Sequence, residues 1–321
     1  MNRLRLTAVS GAAVLALGLA ACGDSGGTGG DGGSTSDLSG TIRIDGSSTV
    51  GPLTEAAAEA FQGDNSDVRV TVGTSGTGGG FEKFCAGETD ISDASREIED
   101  DEIAACRDRG ITYEAFQVAN DGISVVVNPD NDWARCLTVE QLRTIWNTGS
   151  KADSWKDVDP SFPDEKLTLY GPGTDSGTFD FFTDKINGEE GASRSDYNAT
   201  EDDNVTVQGV SGDNGGLGYF GLSYLEQNGD KLKGVEVDSG RGCVAPSSET
   251  VQDGSYAPLS RPLFIYVKGS SLRKPEVEAF VEYYLANTAD LAEQALFVPL
   301  TQSQQDELQP KLDGLKQQAG T

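Results

Sequence analysis

The chain has 321 residues, of which 52 are Asp or Glu and 24 are Lys or Arg, so its formal net charge is −28, and it contains no histidine. This charge argues against groove binding to nucleic acid, which needs a basic surface. The lack of histidine excludes a Ser-His-Asp or Cys-His catalytic apparatus and a zinc site with histidine ligands. The length is enough for about two domains.

The N-terminus has the pattern of an export signal. A basic start, Met1 to Arg5, precedes an apolar run over residues 6–21, which is shorter than the about 20 apolar residues of a membrane span. The run ends in Leu-Ala-Ala-Cys at Cys22, which is similar to the lipobox of bacterial lipoproteins, whose cysteine is acylated and becomes the new N-terminus. We predict that residues 1–21 are a signal peptide and that Cys22 carries lipid. The alternative is an ordinary signal peptide with an incidental cysteine.

The segment after Cys22 is rich in Gly, Ser, Thr and Asp, and Leu38 is the only large apolar residue between positions 23 and 39. Such a composition cannot bury apolar surface, so we predict a flexible tether over residues 22–39 that links the lipid to the folded part. A disordered tail without an anchor would have the same composition.

Segments typical of strands and helices alternate beyond the tether. The predicted strands are 41–44, 68–72, 123–127, 167–170, 217–220 and 263–267. The predicted helices are 52–61, 78–84, 99–107, 137–146, 177–186 and 277–285. Pro52 suits the first turn of the first helix, and Thr138 suits the N-cap of the fourth. Alternation of this kind predicts an α/β protein with largely parallel sheets.

Four cysteines follow the tether: Cys85, Cys106, Cys136 and Cys243. An exported chain can form disulfides, and four cysteines can pair in three ways. We favour Cys85 with Cys106, because the pair is local, and Cys136 with Cys243, because both would lie in one domain. A four-cysteine metal cluster is disfavoured, since no two cysteines have the C-x-x-C spacing.

Three turns rich in Gly, Ser and Thr, at residues 46–50, 73–81 and 171–179, each follow a predicted strand and lead into a predicted helix. The start of a helix offers unpaired N–H groups and the positive end of its dipole, glycine allows close approach, and hydroxyls add donors. One such turn alone would be an ordinary strand-to-helix turn, whereas three favour a crevice that binds an oxyanion. A nucleotide site is disfavoured, because the chain has no Gly-Lys dipeptide and Phe81 stands where a dinucleotide motif needs glycine.

A fourth segment, residues 90–96, brings acid, hydroxyl and guanidinium groups together. It is either a surface turn with a weak local ion pair or part of the site. In the second case Arg96 binds the oxyanion, and Asp93 accepts a hydrogen bond from a ligand that keeps a proton. Phosphate keeps one at neutral pH and sulfate does not, so Asp93 would select against sulfate.

Together these segments resemble the phosphate-binding lipoproteins of bacterial ABC phosphate importers, the PstS-like family. The resemblance spans about residues 40–300 in sequence order. It is carried by the three turns and residues 90–96, by Asn-Asp-Gly-Ile at 120–123 and by Asn-Gly-Gly-Leu-Gly-Tyr-Phe at 214–220.

The resemblance implies the ligand contacts as well. The implied phosphate-binding residues are Ser48, Thr49, Val50, Ser75, Asp93, Ser176, Gly177 and Thr178. The best-known branch of the family has an arginine shortly before its Ser-Gly-Thr element, and residues 170–178 contain none. Arg96 is therefore our candidate for the only cation in the site.

The implied architecture is the type II periplasmic-binding-protein fold, in which two α/β lobes are joined by two crossing strands and the ligand lies in the cleft between them. We expect the crossings near residues 120 and 260. Lobe I would then be 40–120 plus 261–321, and lobe II would be 121–260.

The function expected from these features is that of a lipid-anchored receptor on the outer face of the cell membrane, which binds inorganic phosphate and delivers it to the permease subunits of an ABC importer. We expect no enzymatic activity, cofactor or metal. The alternatives are a receptor for sulfate, molybdate or a phosphonate, a secreted phosphatase or serine hydrolase using Ser75 or Ser176, and a sensory or adhesive lipoprotein of the same fold.

Overall fold

The computed structural model describes residues 38–174 and 176–320. The predicted signal peptide 1–21 and the acylation site Cys22 lie outside the described residues, as does the tether 22–39 except for its last two residues. Among the described residues, no helix is both long enough and apolar enough to cross a membrane.

Strands and helices alternate along most of the described chain. The strands are β1 (Gly40–Gly46), β2 (Val68–Gly73), β3 (Ile91–Ala94), β4 (Tyr113–Val127), β5 (Cys136–Thr138), β6 (Thr168–Gly171), β7 (Asn198–Ala199), β8 (Gly216–Gly221), β9 (Lys233–Gly234), β10 (Glu236–Asp238), β11 (Cys243–Val244) and β12 (Ser260–Lys268). The α-helices are α1 (Gly51–Asp64), α2 (Gly76–Cys85), α3 (Asp100–Asp108), α4 (Val139–Trp146), α5 (Trp155–Val158), α6 (Gly177–Phe182), α7 (Asp203–Ser211), α8 (Leu222–Gln227), α9 (Ser248–Gln252), α10 (Pro275–Ala286), α11 (Thr288–Gln294), α12 (Gln302–Asp306) and α13 (Leu308–Ala319). A π-helix (Thr183–Asn187) continues α6, and a 3₁₀ helix (Gly269–Arg273) follows β12.

Local sequence explains how several helices begin. Pro52 lies in the first turn of α1, where a missing N–H leaves no helical hydrogen bond unmade. Thr138 caps α4 as predicted, because its hydroxyl accepts from the N–H of Gln141 and the side chain of Gln141 accepts from the N–H of Thr138. The hydroxyl of Ser176 caps α6 by accepting from the N–H of Thr178.

In the described residues, nine strands form one mixed sheet in the order β2-β1-β3-β12-β4-β8-β6-β7, with β9 beside β4. Strands β1, β2 and β3 are parallel, and so are β6, β7 and β8. At the centre, β12 runs antiparallel to both β3 and β4, and β4 runs antiparallel to β8. The prediction of largely parallel sheets is therefore wrong at the centre, because the chain leaves along β4 and returns along β12.

The core is divided into clusters that follow the sheet. One large cluster draws on residues between 42 and 119 and between 263 and 315. A second draws on residues between 123 and 259, together with Val298. The chain passes from the first cluster to the second along β4 and comes back along β12, so these two neighbouring strands connect the two cores.

Both disulfides that we favoured are present. Cys85 is bonded to Cys106, which links α2 to α3, and Cys136 is bonded to Cys243, which links β5 to β11 at the edges of the small sheet β11-β10-β5. The four cysteines are thus consumed in covalent pairs, and the four-cysteine metal cluster is excluded.

Candidate functional site

A cavity of about 800 Å³ lies between the carboxyl-terminal end of β1 and the start of α6. Most of its lining comes from turns and helix starts. The lining includes residues 47–49, 76–78, 95–97 and 260–262, together with Gly177, Asp180 and Phe181. Segments from each of the three glycine-rich turns therefore meet at one cavity, as the sequence predicted for an anion-binding crevice.

The first turn brings backbone N–H groups to the start of α1. The hydroxyl of Ser47 accepts from the N–H groups of Thr49 and Val50, at 3.2 and 3.4 Å. Ser48 and Thr49 line the cavity, whereas the side chain of Val50 is fully buried in the core. Any contact from Val50 to a ligand must therefore come from its backbone N–H.

The third turn touches the first at Gly177. A Cβ atom built on Gly177 would lie 2.7 Å from the hydroxyl oxygen of Thr49 and 3.7 Å from that of Ser48. Only a residue without a side chain permits this approach, so the starts of α1 and α6 can face one small ligand. Of the predicted residues in this turn, Gly177 lines the cavity, while Ser176 and Thr178 are occupied with each other in the cap.

The second turn contributes Gly76, Thr77 and Gly78 to the lining, but not Ser75. Ser75 is exposed, and both its hydroxyl and its N–H donate to Asp45. The ammonium of Lys83 donates to the second oxygen of that carboxylate at 2.6 Å. Burial acts to raise the pKa of Asp45, but the hydrogen bonds from Lys83 and Ser75 outweigh it and lower the pKa. The ionised carboxylate of Asp45 therefore holds the second turn in place through Ser75.

Asp93 lies directly behind the first turn, fully buried, and its backbone oxygen accepts from the N–H of Ser47 at 2.9 Å. Its Oδ1 accepts from the hydroxyl of Thr54 at 3.0 Å, whereas Oδ2 is buried with no hydrogen-bond partner in the described part of the chain. Burial, reinforced by the charges of Asp45 and Glu55, raises the pKa of Asp93 to about 8. Asp93 does not itself line the cavity, but a buried carboxyl oxygen without a partner is uncommon, and a strongly perturbed pKa marks a candidate functional group.

Arg96 lines the cavity, but its charge is already paired. Its Nη1 and Nη2 donate to the two oxygens of Glu102 at 2.8 and 2.9 Å, and its Nε lies 3.3 Å from Glu99. Arg96 is not the only cation beside the cavity, since Lys185 and Arg261 also line it. Lys185 is exposed and pairs with its neighbour Asp184.

Arg261 is the functional candidate that the sequence analysis missed. Its Nη2 donates to the hydroxyl of Thr49 at 2.9 Å, and its Nε donates to Asp121 at 3.0 Å. The guanidinium carbon lies 3.8 Å from the ring centre of Phe181. Burial lowers the pKa of Arg261, against the effect of Asp121. The signal available in the sequence was an arginine at a predicted crossing, but nothing local showed that it would reach the first turn.

Comparison with known proteins identifies the family. Residues 32–288 match the model of the PBP superfamily domain. A phosphate-binding protein PstS of Staphylococcus saprophyticus is 45% identical over 312 residues, which cover 96% of this chain and 93% of the relative. The chain belongs to the PstS family of the PBP superfamily. The protein SphX of Synechocystis is 47% identical over 291 residues, which cover 90% of this chain and 83% of the relative.

A solved structure supports the same family. The crystal structure of a possible phosphate-binding protein from Planctomyces limnophilus is 46% identical, with a TM-score of 0.84, and the match covers 87% of this chain and 99% of that one. The family resemblance drawn from the turns and the α/β periplasmic-binding-protein fold expected from it are both confirmed. In this family context the cavity combines hydroxyls, helix starts and a largely buried guanidinium, which are groups suited to a small oxyanion.

Proposed function

We propose that this chain is an extracytoplasmic receptor that binds inorganic phosphate and delivers it to an ABC importer. One observation carries the proposal: the hydroxyl of Thr49 meets Gly177 where α1 and α6 begin, with the guanidinium of Arg261 bonded to the same hydroxyl. Two of the relatives, named as a phosphate-binding protein PstS and as a possible phosphate-binding protein, support phosphate as the oxyanion.

The proposed contacts are those inferred from the sequence. They are Ser48, Thr49, Val50, Ser75, Asp93, Arg96, Ser176, Gly177 and Thr178. Hydroxyls and the N–H groups of the first turns of α1 and α6 would donate to the phosphate oxygens, helped by the positive ends of the helix dipoles. The hydroxyl of Ser75 would have to exchange Asp45 for the ligand, and the backbone N–H of Thr178 would have to exchange the hydroxyl of Ser176.

Asp93 is the proposed acceptor for the proton of the phosphate. Its Oδ2 is buried behind the first turn with no partner among the described residues, and a ligand O–H would supply one. Sulfate has no proton to donate, so beside an ionised Asp93 it would leave this oxygen unsatisfied and place a second negative charge next to it, which is costly in a buried site.

Closure of two lobes is the proposed mode of capture. We take the two hydrophobic clusters as the cores of lobe I, 40–120 plus 261–321, and lobe II, 121–260. Residues 47–49 and 76–78 would belong to one lobe and residues 177–181 to the other, so a ligand between them would be covered when the lobes close.

The proposed location is the outer face of the cell membrane. The basic start, the short apolar run and the cysteine at position 22 support export followed by lipid attachment, with residues 22–39 as the tether. The permease subunits of an ABC importer are the proposed partners.

Calorimetric titration of the full chain, freed of bound phosphate, with phosphate and with sulfate at pH 9, where Asp93 is ionised in the free receptor and phosphate still carries a proton, tests this proposal. We expect tight binding of phosphate and at least about a 100-fold weaker binding of sulfate, because an unpaired buried acceptor costs ~1–3 kcal/mol and more when charged. Asp93→Asn should reduce the difference in affinity between phosphate and sulfate. Absence of phosphate binding would refute the receptor, whereas equal binding of both anions would refute only the role of Asp93.

A further inference from the structure

We propose that Arg261, rather than Arg96, is the guanidinium that takes up the negative charge of the bound phosphate. This inference rests on the phosphate receptor proposed above and adds to its site a residue from outside the glycine-rich turns. The position of Arg261 in the sheet, its partners and its remaining donors each support it.

Arg261 lies on β12 beside Asp121 on β4, and the two residues are directly paired across the strands. These are the strands that connect the two hydrophobic cores. From this central position the side chain reaches Thr49 in the first turn and Phe181 in α6, on opposite sides of the cavity. A ligand held at the meeting point of the two turns therefore lies within reach of this guanidinium.

The partners of Arg261 hold its plane in place. The carboxylate of Asp121 fixes Nε, and the ring of Phe181 lies against the flat face at 3.8 Å, a geometry that favours a cation. The side chain is only 13% exposed, so little conformational entropy remains to be lost when a ligand binds. Fixed in this way, the planar guanidinium of Arg261 is oriented to donate to two oxygens of a tetrahedral anion.

The remaining donors distinguish Arg261 from Arg96. An arginine has five N–H donors, and within the described residues the hydrogen bonds of Arg261 use Nε and Nη2, so Nη1 has no partner. Its Nη2 bond goes to a neutral hydroxyl, which a phosphate oxygen can share or replace. Arg96, in contrast, has both terminal nitrogens on one carboxylate and its Nε beside a second one. Arg96 therefore has two carboxylate partners, Glu102 and Glu99, whereas Arg261 is ion-paired with one, Asp121.

Phosphate titration calorimetry on single variants of the full chain tests the proposal. Arg261→Gln should weaken phosphate binding at least about 30-fold, and Arg261→Lys, which keeps the charge but loses the fork, should weaken it less. Arg96→Gln should weaken binding less than about tenfold. Arg241→Gln is the matched control, because Arg241 is exposed in the loop between β10 and β11 and does not line the cavity, and its affinity should equal that of the wild type.

The double variant Arg261→Gln/Asp121→Asn separates binding from structural support. If Arg261 served only to neutralise Asp121, removing both charges would restore phosphate affinity. If Arg261 contacts the ligand, the double variant should still bind phosphate at least about 30-fold more weakly than the wild type. Circular dichroism confirms folding, and the double variant decides the question if Arg261→Gln alone is unfolded. Wild-type affinity in Arg261→Gln or in the double variant overturns this proposal and leaves the receptor standing. Failure of the wild type to bind phosphate overturns both.

Discussion

At the scale of single residues, the behaviour of Asp93 is decided by burial. The side chain has no exposure, one oxygen is bonded to Thr54, and the other has no partner among the described residues. Water cannot solvate the ionised form there, so the pKa of Asp93 rises to about 8. Without ligand, the protonated form is therefore the main one at neutral pH.

The raised pKa of Asp93 predicts that the stability of the folded protein depends on pH. Between about pH 4 and pH 8 the folded state keeps a proton on Asp93 that the unfolded chain, with an ordinary pKa of 3.8, releases. The contribution of Asp93 to the free energy of unfolding is thus largest below pH 4 and is lost as pH rises towards 8, with a slope of up to about 1.4 kcal/mol per pH unit.

Urea denaturation of the wild type and of Asp93→Asn at pH 5, 7 and 9, without phosphate, measures this effect. Other carboxyl groups contribute equally to both proteins, so the difference between the two curves isolates Asp93. We expect the wild type to lose stability relative to Asp93→Asn from pH 5 to pH 7 and to level off above pH 8. Parallel curves would show that Asp93 is not protonated in the folded protein.

At the scale of elements, the position of the second turn depends on how closely α2 rests on β1. A Cβ atom built on Gly80 would lie 2.5 Å from the Cα of Gly46, 2.9 Å from the hydroxyl of Ser92 and 3.0 Å from the backbone oxygen of Asp45. The first two distances are shorter than real Cβ contacts. A glycine at position 80 therefore lets the start of α2 reach the cavity beside the first turn.

Gly80→Ala should push α2 away from β1, destabilise the protein by about 1–3 kcal/mol and weaken phosphate binding, because backbone atoms cannot move aside cheaply. Gly63→Ala is the matched control. It lies in α1, and a Cβ there would meet nothing within 4 Å, so we expect a stabilisation of up to about 1 kcal/mol. Urea midpoints for the two variants should move in opposite directions; equal shifts would contradict the close packing of α2.

At the scale of the whole molecule, a net charge of −28 must be reconciled with an anionic ligand. Surface charges are screened over about 8 Å at physiological salt, whereas hydroxyls, helix starts and a guanidinium act at contact distance. Affinity is therefore set inside the cavity, and the overall charge acts mainly on the approach of the ligand.

The association rate of phosphate should consequently rise with ionic strength. Stopped-flow measurements between 10 and 200 mM sodium chloride would show this, with the dissociation rate as an internal control that should change much less, because the bound ligand is shielded from solvent. An association rate that falls with added salt would mean that the cations of the cavity, Arg96, Lys185 and Arg261, dominate the field felt by the ligand.

The sequence by itself determined the features that depend on residues close together in the chain. The three turns, the N-cap at Thr138, the alternation of strands and helices and the local disulfide between Cys85 and Cys106 could be predicted, because apolar periodicity, helix capping and chain proximity act over short distances. The pairing of Cys136 with Cys243, which are 107 residues apart, rested instead on the expectation that both lie in one domain. The family followed from the same turns. Strand β4 was predicted only over 123–127 of its full extent, because polar residues interrupt the apolar pattern before position 123.

Only the tertiary structure decided which charges act in the cavity. Arg261 is separated by 140 residues from Asp121 and by 212 from Thr49, so no local pattern could bring them together. The isolation of Asp93 depends on its complete burial behind the first turn. Electrostatic roles are set by solvent exposure and by partners from distant parts of the chain, and both exist only once the sheet has formed.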